Sequence, residues 1–268
     1  MPNPCWARSL GDCAGRLSRE HTVSRVVLDD EQIEFTGPVT QGQPRVIGIA
    51  ALCSKILCEK HNNALSPLDD AAGVFRAAMD ECVRLASVRR SLSPRKDWTL
   101  ACFDVDGPLI ERWFLKTLIN VEQTFPTNDA SWVAGAVDRE PPAELVRIVY
   151  GRSAFPQDAG LHAIIYEGLN EHFRRTVQIT VMVDQRDDTI CAGAFTFQGL
   201  RLVLTLRPIA PGQPFTVDGV TPANAGPGRT ILRPNKFWFR VHGAKSQVIR
   251  FNWGALQHTR EPLSTDIR

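Results

Sequence analysis

Two short stretches carry the residue types that could do chemistry. The first, "CWARSLGDCAGRLSREH", holds Cys5, Cys13 and the adjacent pair Glu20-His21. The second, "KILCEKHNNALSPLD", holds Cys58, His61 and the neighbouring amides Asn62 and Asn63. Zinc takes four ligands from cysteine thiolates and histidine nitrogens in a tetrahedron, and Cys5, Cys13, Cys58 and His61 supply such a set. Cys58-x-x-His61 has the spacing with which a turn and a helix start present two ligands to one ion. Cys5 and Cys13 are farther apart, with "WARSLGD" between them, so that pair serves only if its loop folds back. Cys53 is a substitute ligand by position, but in "IAALCSKILC" it reads as strand core.

If the two stretches meet at a metal, Glu20, His21 and Asn62 come into one neighbourhood. A carboxylate and an amide oxygen suit a hard divalent cation such as Mg²⁺. An imidazole titrating near neutrality can deprotonate a water aligned on a phosphodiester, and the cation would stabilise charge on the phosphate.

The run "CAGRLSREHTVS" followed by "KILCEKHNNALSPLD" resembles the HNH endonucleases of the ββα-metal (His-Me finger) class, in particular bacterial members with an E-H-[IV] first motif and an L-C-x-x-C-N-N second motif. The resemblance covers residues 5–72. It implies His21 as general base on a DNA phosphodiester, Glu20 and Asn62 as ligands of a catalytic Mg²⁺ or other divalent cation, and Cys5, Cys13, Cys58 and His61 as a structural zinc site. Asn62 and Asn63 are not separable by sequence, though the motif favours Asn62. The chain departs from the pattern in the wide first cysteine pair and in His61, which stands where a cysteine is usual. Near the position of the residue that normally orients the base stand Cys53 and Ser54.

The elements that must position these groups read as an α+β fold. A zinc-stapled ββα-metal module with a following helix is expected over residues 1–96, and a β-rich α+β domain over 97–268, with "SPRKDW" as the boundary. "SPLDDAAGVFRAAMDECVRLASVRRSL" has apolar residues at helical spacing, with Ser66 as N-cap and Pro67 at the first helical position. Its far end brings Arg84, Arg89 and Arg90 together as a patch that could face phosphates. "TLACFDVDG" reads as a strand and turn, and "PLIERWFLKTLINVEQTF" as a second helix, with Glu111, Arg112 and Lys116 on an edge left in water. Residues 141–150 form a third, short helix. From Thr176 the period becomes two: "TVQITVMVD", a hairpin about Gln198-Gly199, "KFWFRVHG" and "SQVIRFNW" are strands. A Pro/Gly-rich loop separates the hairpin from the last two.

Composition narrows the class. Charged residues make up 22% and no run approaches the ~20 apolar residues of a membrane helix, so a cytoplasmic protein without membrane contact is expected. The net charge of +2 permits a DNA partner without demanding one. Seven cysteines, an odd number, do not form a disulfide framework; Cys82, Cys102 and Cys191 read as small buried hydrophobes. His162, His172, His242 and His258 lack a partner motif. The sequence thus favours a metal-dependent HNH-type endonuclease. Its rivals are a catalytically inactive zinc module, structural or nucleic-acid-binding, and an α+β binding protein with no metal.

Overall fold

In the first strand, β1 (Leu17–His21), Glu20 is buried between exposed Arg19 and half-buried His21. In the computed structural model a hairpin of β2 (Gln32–Phe35) and β3 (Arg45–Gly48) follows, then β4 (Cys53–Cys58), which pairs antiparallel with β1. Cys58 ends the strand and opens α1 (Glu59–Asn63), so β1, β4 and α1 make a ββα unit. The residues described are 5–28, 32–35, 43, 45–48, 52–92, 98–125, 131–133, 140–166, 177–184, 186–197, 200–208, 228–242, 244–256 and 263–266.

Helix α2 (Ser66–Arg90) spans the expected segment, but Leu65, not Ser66, is its N-cap. Ser66 lies inside the first turn, and its hydroxyl donates back to the Asn63 carbonyl at 3.0 Å because the chain enters α2 directly from α1. Strand β5 (Ala101–Asp106) runs into α3 (Gly107–Thr124), whose N-terminus is capped by the Asp106 carboxylate accepting from Leu109 N–H at 2.9 Å. A Cβ on Gly107 would collide with the Trp253 indole, so the strand-to-helix corner requires glycine. The short helix expected over 141–150 is α4 (Ala143–Val149).

Two sheets complete the chain. Strands β6 (Gly160–Tyr166), β7 (Val177–Asp184), β8 (Thr189–Phe197), β9 (Leu200–Thr205) and β10 (Gly228–Leu232) form an antiparallel sheet in the order β10-β6-β9-β8-β7. The Phe197–Leu200 pair closes the expected hairpin. Strands β11 (Lys236–Val241), β12 (Ala244–Asn252) and β13 (Leu263–Asp266) join β5 in a mixed sheet, β13-β11-β12-β5. Gln198-Gly199, most of the Pro/Gly-rich loop, most of "SPRKDW", His172 and His258 lie outside the described residues.

Helix α3 is the axis of the fold. It contacts α2, α4 and β4 as well as β5, β6, β9 and β12, and Ile110, Trp113, Phe114, Leu118 and Val121 are all buried. One apolar core runs from Trp6 and Leu52 through Phe75 and Trp113 to Phe239 and Trp253, and Phe75 meets Phe251 at 5.7 Å. The segments before and after residue 96 therefore share their interior. The watery edge expected for α3 is absent, because elements enclose the helix on every side. Glu111 is instead buried, accepting from Arg233 Nε at 2.9 Å and from Leu161 N–H at 2.7 Å. Lys116 is buried as well. Of the three cysteines read as buried, only Cys82 is: Cys102 sits exposed near the start of edge strand β5, and Cys191 is half-buried. Among the described residues no helix is long and apolar enough to cross a membrane.

Candidate metal centre

The wide Cys5–Cys13 pair is folded back by a single helical turn at Arg8–Leu10, which Gly11 ends in the left-handed region at φ +79°. Three backbone bonds hold this loop to the ββα unit. Trp6 N–H donates to the Ile56 carbonyl at 3.0 Å, Glu59 N–H to Arg16 at 3.0 Å and Lys60 N–H to Ala14 at 3.2 Å. Cys5 and Cys13 are thereby carried over the β4–α1 junction that bears Cys58 and His61.

The four ligand atoms lie within 4.8 Å of one another, and the group could hold a metal ion. Nδ1 of His61 is 3.4 Å from Cys5 Sγ, 3.6 Å from Cys13 Sγ and 3.3 Å from Cys58 Sγ. A tetrahedron with metal–sulfur bonds of ~2.3 Å and a metal–nitrogen bond of ~2.0–2.1 Å has S···N edges of about 3.5 Å, so the observed distances fit a zinc-like ion at the centre. Without a metal, burial pushes the Cys5 thiol up to about 12 and the Cys13 thiol in the same direction. Burial also raises Cys58, but the backbone N–H groups of His61 and Ala14, together with the Cys5 and Cys13 thiols, outweigh it and leave that thiol below its ordinary value.

A second layer fixes the histidine. With Nδ1 turned to the sulfurs, Nε2 carries the ring proton and donates to Asp12 Oδ1 at 2.8 Å. Asp12 also accepts from Lys60 at 2.8 Å and from Arg152 at 3.4 Å; Lys60 and His61 together hold its carboxyl well below the usual range. The Tyr150 hydroxyl donates to the His61 carbonyl at 3.0 Å, and the two rings meet edge-on at 5.4 Å. Neither Asp12 nor Tyr150 was marked by a motif; Asp12 beside Cys13 was the only available signal.

The residues expected to do chemistry are placed differently. His21, half-buried, ends β1 opposite Cys53, and its backbone carbonyl accepts from Asn120 Nδ2 at 3.2 Å. Glu20 points the other way, into the protein, and is 6% exposed. Its Oε1 lies 2.7 Å from Lys116 Nζ and accepts from Asn120 Nδ2 at 3.3 Å. Lys116, Asn120 and Thr124 are spaced four apart on α3 and form a polar stripe along β1, with Thr124 bonded to Thr22 at 3.1 Å. Burial raises the Glu20 carboxyl, opposed by the Lys116 charge. Asn62 is half-buried and Asn63 exposed in α1. Both contacts fall on Glu20 Oε1, where Lys116 supplies the positive charge.

The arginines of α2 are partly engaged. Arg84 makes two bonds to Glu81, both 2.6 Å. Arg89 donates to the Ser246 carbonyl at 2.6 Å and to Thr99 at 2.8 Å, and covers the Trp98 ring at 5.6 Å. Arg90 is exposed. Nearer to His21, Arg19 and Lys55 are exposed and make no ion pair among the described residues. Both lie where the β1–β4 register shifts, between the Ser18–Leu57 and Glu20–Ser54 pairs. Comparisons with protein-family models, with curated proteins and with solved structures find no match.

Proposed function

We propose that the chain is an HNH-type nuclease module that binds nucleic acid across the β1–β4 ribbon and hydrolyses a phosphodiester with His21 as general base. The observation that carries this reading is the ββα unit with a Cys3His cluster at its strand–helix junction and a half-buried histidine ending its first strand. In this reading Cys5, Cys13, Cys58 and His61 hold structural zinc, which joins the first loop to α1. Arg19 and Lys55 support a polyanionic partner: both are exposed cations on the ribbon with no ion pair among the described residues, and phosphates can neutralise them. The His21 ring would take a proton from a water aligned on the phosphorus.

The engagement of Glu20 by Lys116 favours a second reading, a zinc-stapled module that binds nucleic acid without cutting it. Nicking of supercoiled plasmid by the zinc-loaded chain separates the two. The nuclease reading expects nicking that falls by about 100-fold or more in His21→Ala, the scale of a lost general base. Nicking that survives unchanged in His21→Ala removes His21 from the mechanism. Binding that depends on Arg19 and Lys55, with no nicking at all, supports the second reading.

A further inference from the structure

The carboxylates of Glu20 and Asp69 converge on one point, and that point is filled by the chain itself. Lys116 Nζ is 2.7 Å from Glu20 Oε1, 2.7 Å from Asp69 Oδ1 and 2.9 Å from Asp69 Oδ2. Its side chain is 1% exposed. These are charge-assisted hydrogen-bond lengths, and they use all the donor directions of an ammonium. The surrounding groups complete the arrangement. Asn120 donates to Glu20 and in turn accepts from Trp6 Nε1 at 3.1 Å. Ser24 bonds Asp69 and accepts from Trp113 Nε1 at 2.8 Å.

We infer that the Lys116 ammonium is the permanent cation of the Glu20–Asp69 pair, standing where a divalent ion would otherwise bind. Three oxygens around one centre, two of them from one carboxylate, form the kind of oxygen cluster that holds a hard divalent ion. With Lys116 in place, such an ion would have to share Glu20 with a cation only a few ångströms away. To make room, a buried side chain would have to leave both carboxylates. A lysine is a compact, strongly localised charge and substitutes for a small ion better than an arginine would. The pair is therefore closed to divalent cations, and Glu20 is a structural carboxylate tying β1 to α3 and α2. This inference does not depend on hydrolysis. If the chain does cut phosphodiesters, it does so with no divalent ion on Glu20.

The test uses the full zinc-loaded chain and Mn²⁺ as probe, read by the loss of the free-ion electron paramagnetic resonance signal. Wild type and Glu20→Gln should give the same titration, and Lys116→Ala should take up one additional Mn²⁺ that is lost again in Lys116→Ala/Glu20→Gln. Uptake by wild type that disappears in Glu20→Gln overturns the inference. Uptake that persists in Glu20→Gln lies elsewhere and leaves the pair closed, as inferred. A Lys116→Ala protein that keeps the wild-type circular dichroism yet takes up no additional Mn²⁺ also overturns it, since the pair is then no cation seat. Should Lys116→Ala fail to fold, the comparison of wild type with Glu20→Gln decides alone.

Discussion

Asp12→Asn isolates the second layer of the metal centre. The asparagine keeps the shape and still offers an oxygen to His61 Nε2, now 2.8 Å from the Asp12 carboxylate, but removes the charge. Loss of a carboxylate behind a metal-bound histidine typically costs 10- to 100-fold in metal affinity. The Asp12 side chain is 35% exposed and shared with Lys60 and Arg152, so solvent screens part of the interaction. The expected loss is therefore near the lower end, about tenfold. Competition for zinc with a chromophoric chelator at neutral pH measures it directly. Lys60→Ala is the control: it leaves the Asp12–His61 bond intact and should change affinity by less than about twofold. Equal affinity in wild type and Asp12→Asn, or an effect in Lys60→Ala as large as in Asp12→Asn, would refute the idea that Asp12 acts on the metal through His61.

Other expectations follow from the same geometry. Glu111→Ala leaves buried Arg233 without its carboxylate and should lower unfolding free energy by about 3–5 kcal/mol in urea, whereas Glu111→Gln, which can still accept from Leu161 N–H, should cost less. Phe75→Ala, in the core shared by both segments, should cost about 3–5 kcal/mol and shift a single transition; two separate transitions would contradict a continuous core. Metal binding should release protons and weaken as pH falls, because Cys5 and Cys13 hold their protons at neutral pH in the metal-free chain. The metal-free chain should show the opposite trend in alkali: the Cys5 thiol, raised from 9.0 to about 12, contributes stability that is lost as pH rises through that window. Cys5→Ser should lessen the alkaline loss in the metal-free protein's pH–stability profile, with Cys13, Cys82 and Tyr150, which burial also raises, keeping their share.

Much of the frame was legible because its signals are local. Helical spacing marked α2 and α3, period two marked β7, β8, β9, β11 and β12, and the ligand types marked Cys5, Cys13, Cys58 and His61. Strand β6 was not, since "GLHAIIY" shows no clean alternation and buries Leu161, His162, Ala163 and Ile164 in succession. The role of Lys116 was hidden for a related reason. A helix buried all round shows no amphipathic contrast, so a charged residue within it reads as an exposed edge until its partners are known. Those partners are far away in sequence: Asn120 reaches Glu20 across a separation of 100 residues and Lys116 reaches Asp69 across 47. Asp12 escaped notice because its partner, His61, is 49 residues on. The wide cysteine spacing looked like a departure from a metal site, yet one helical turn and Gly11 absorb it.

X-ray absorption at the zinc edge of the purified chain tests the centre most directly. One zinc per chain with three sulfurs at ~2.3 Å and one nitrogen at ~2.0–2.1 Å is the predicted shell. It should lose one sulfur in Cys13→Ser. A chain that takes up no metal, or a shell of oxygen and nitrogen alone, would contradict the account.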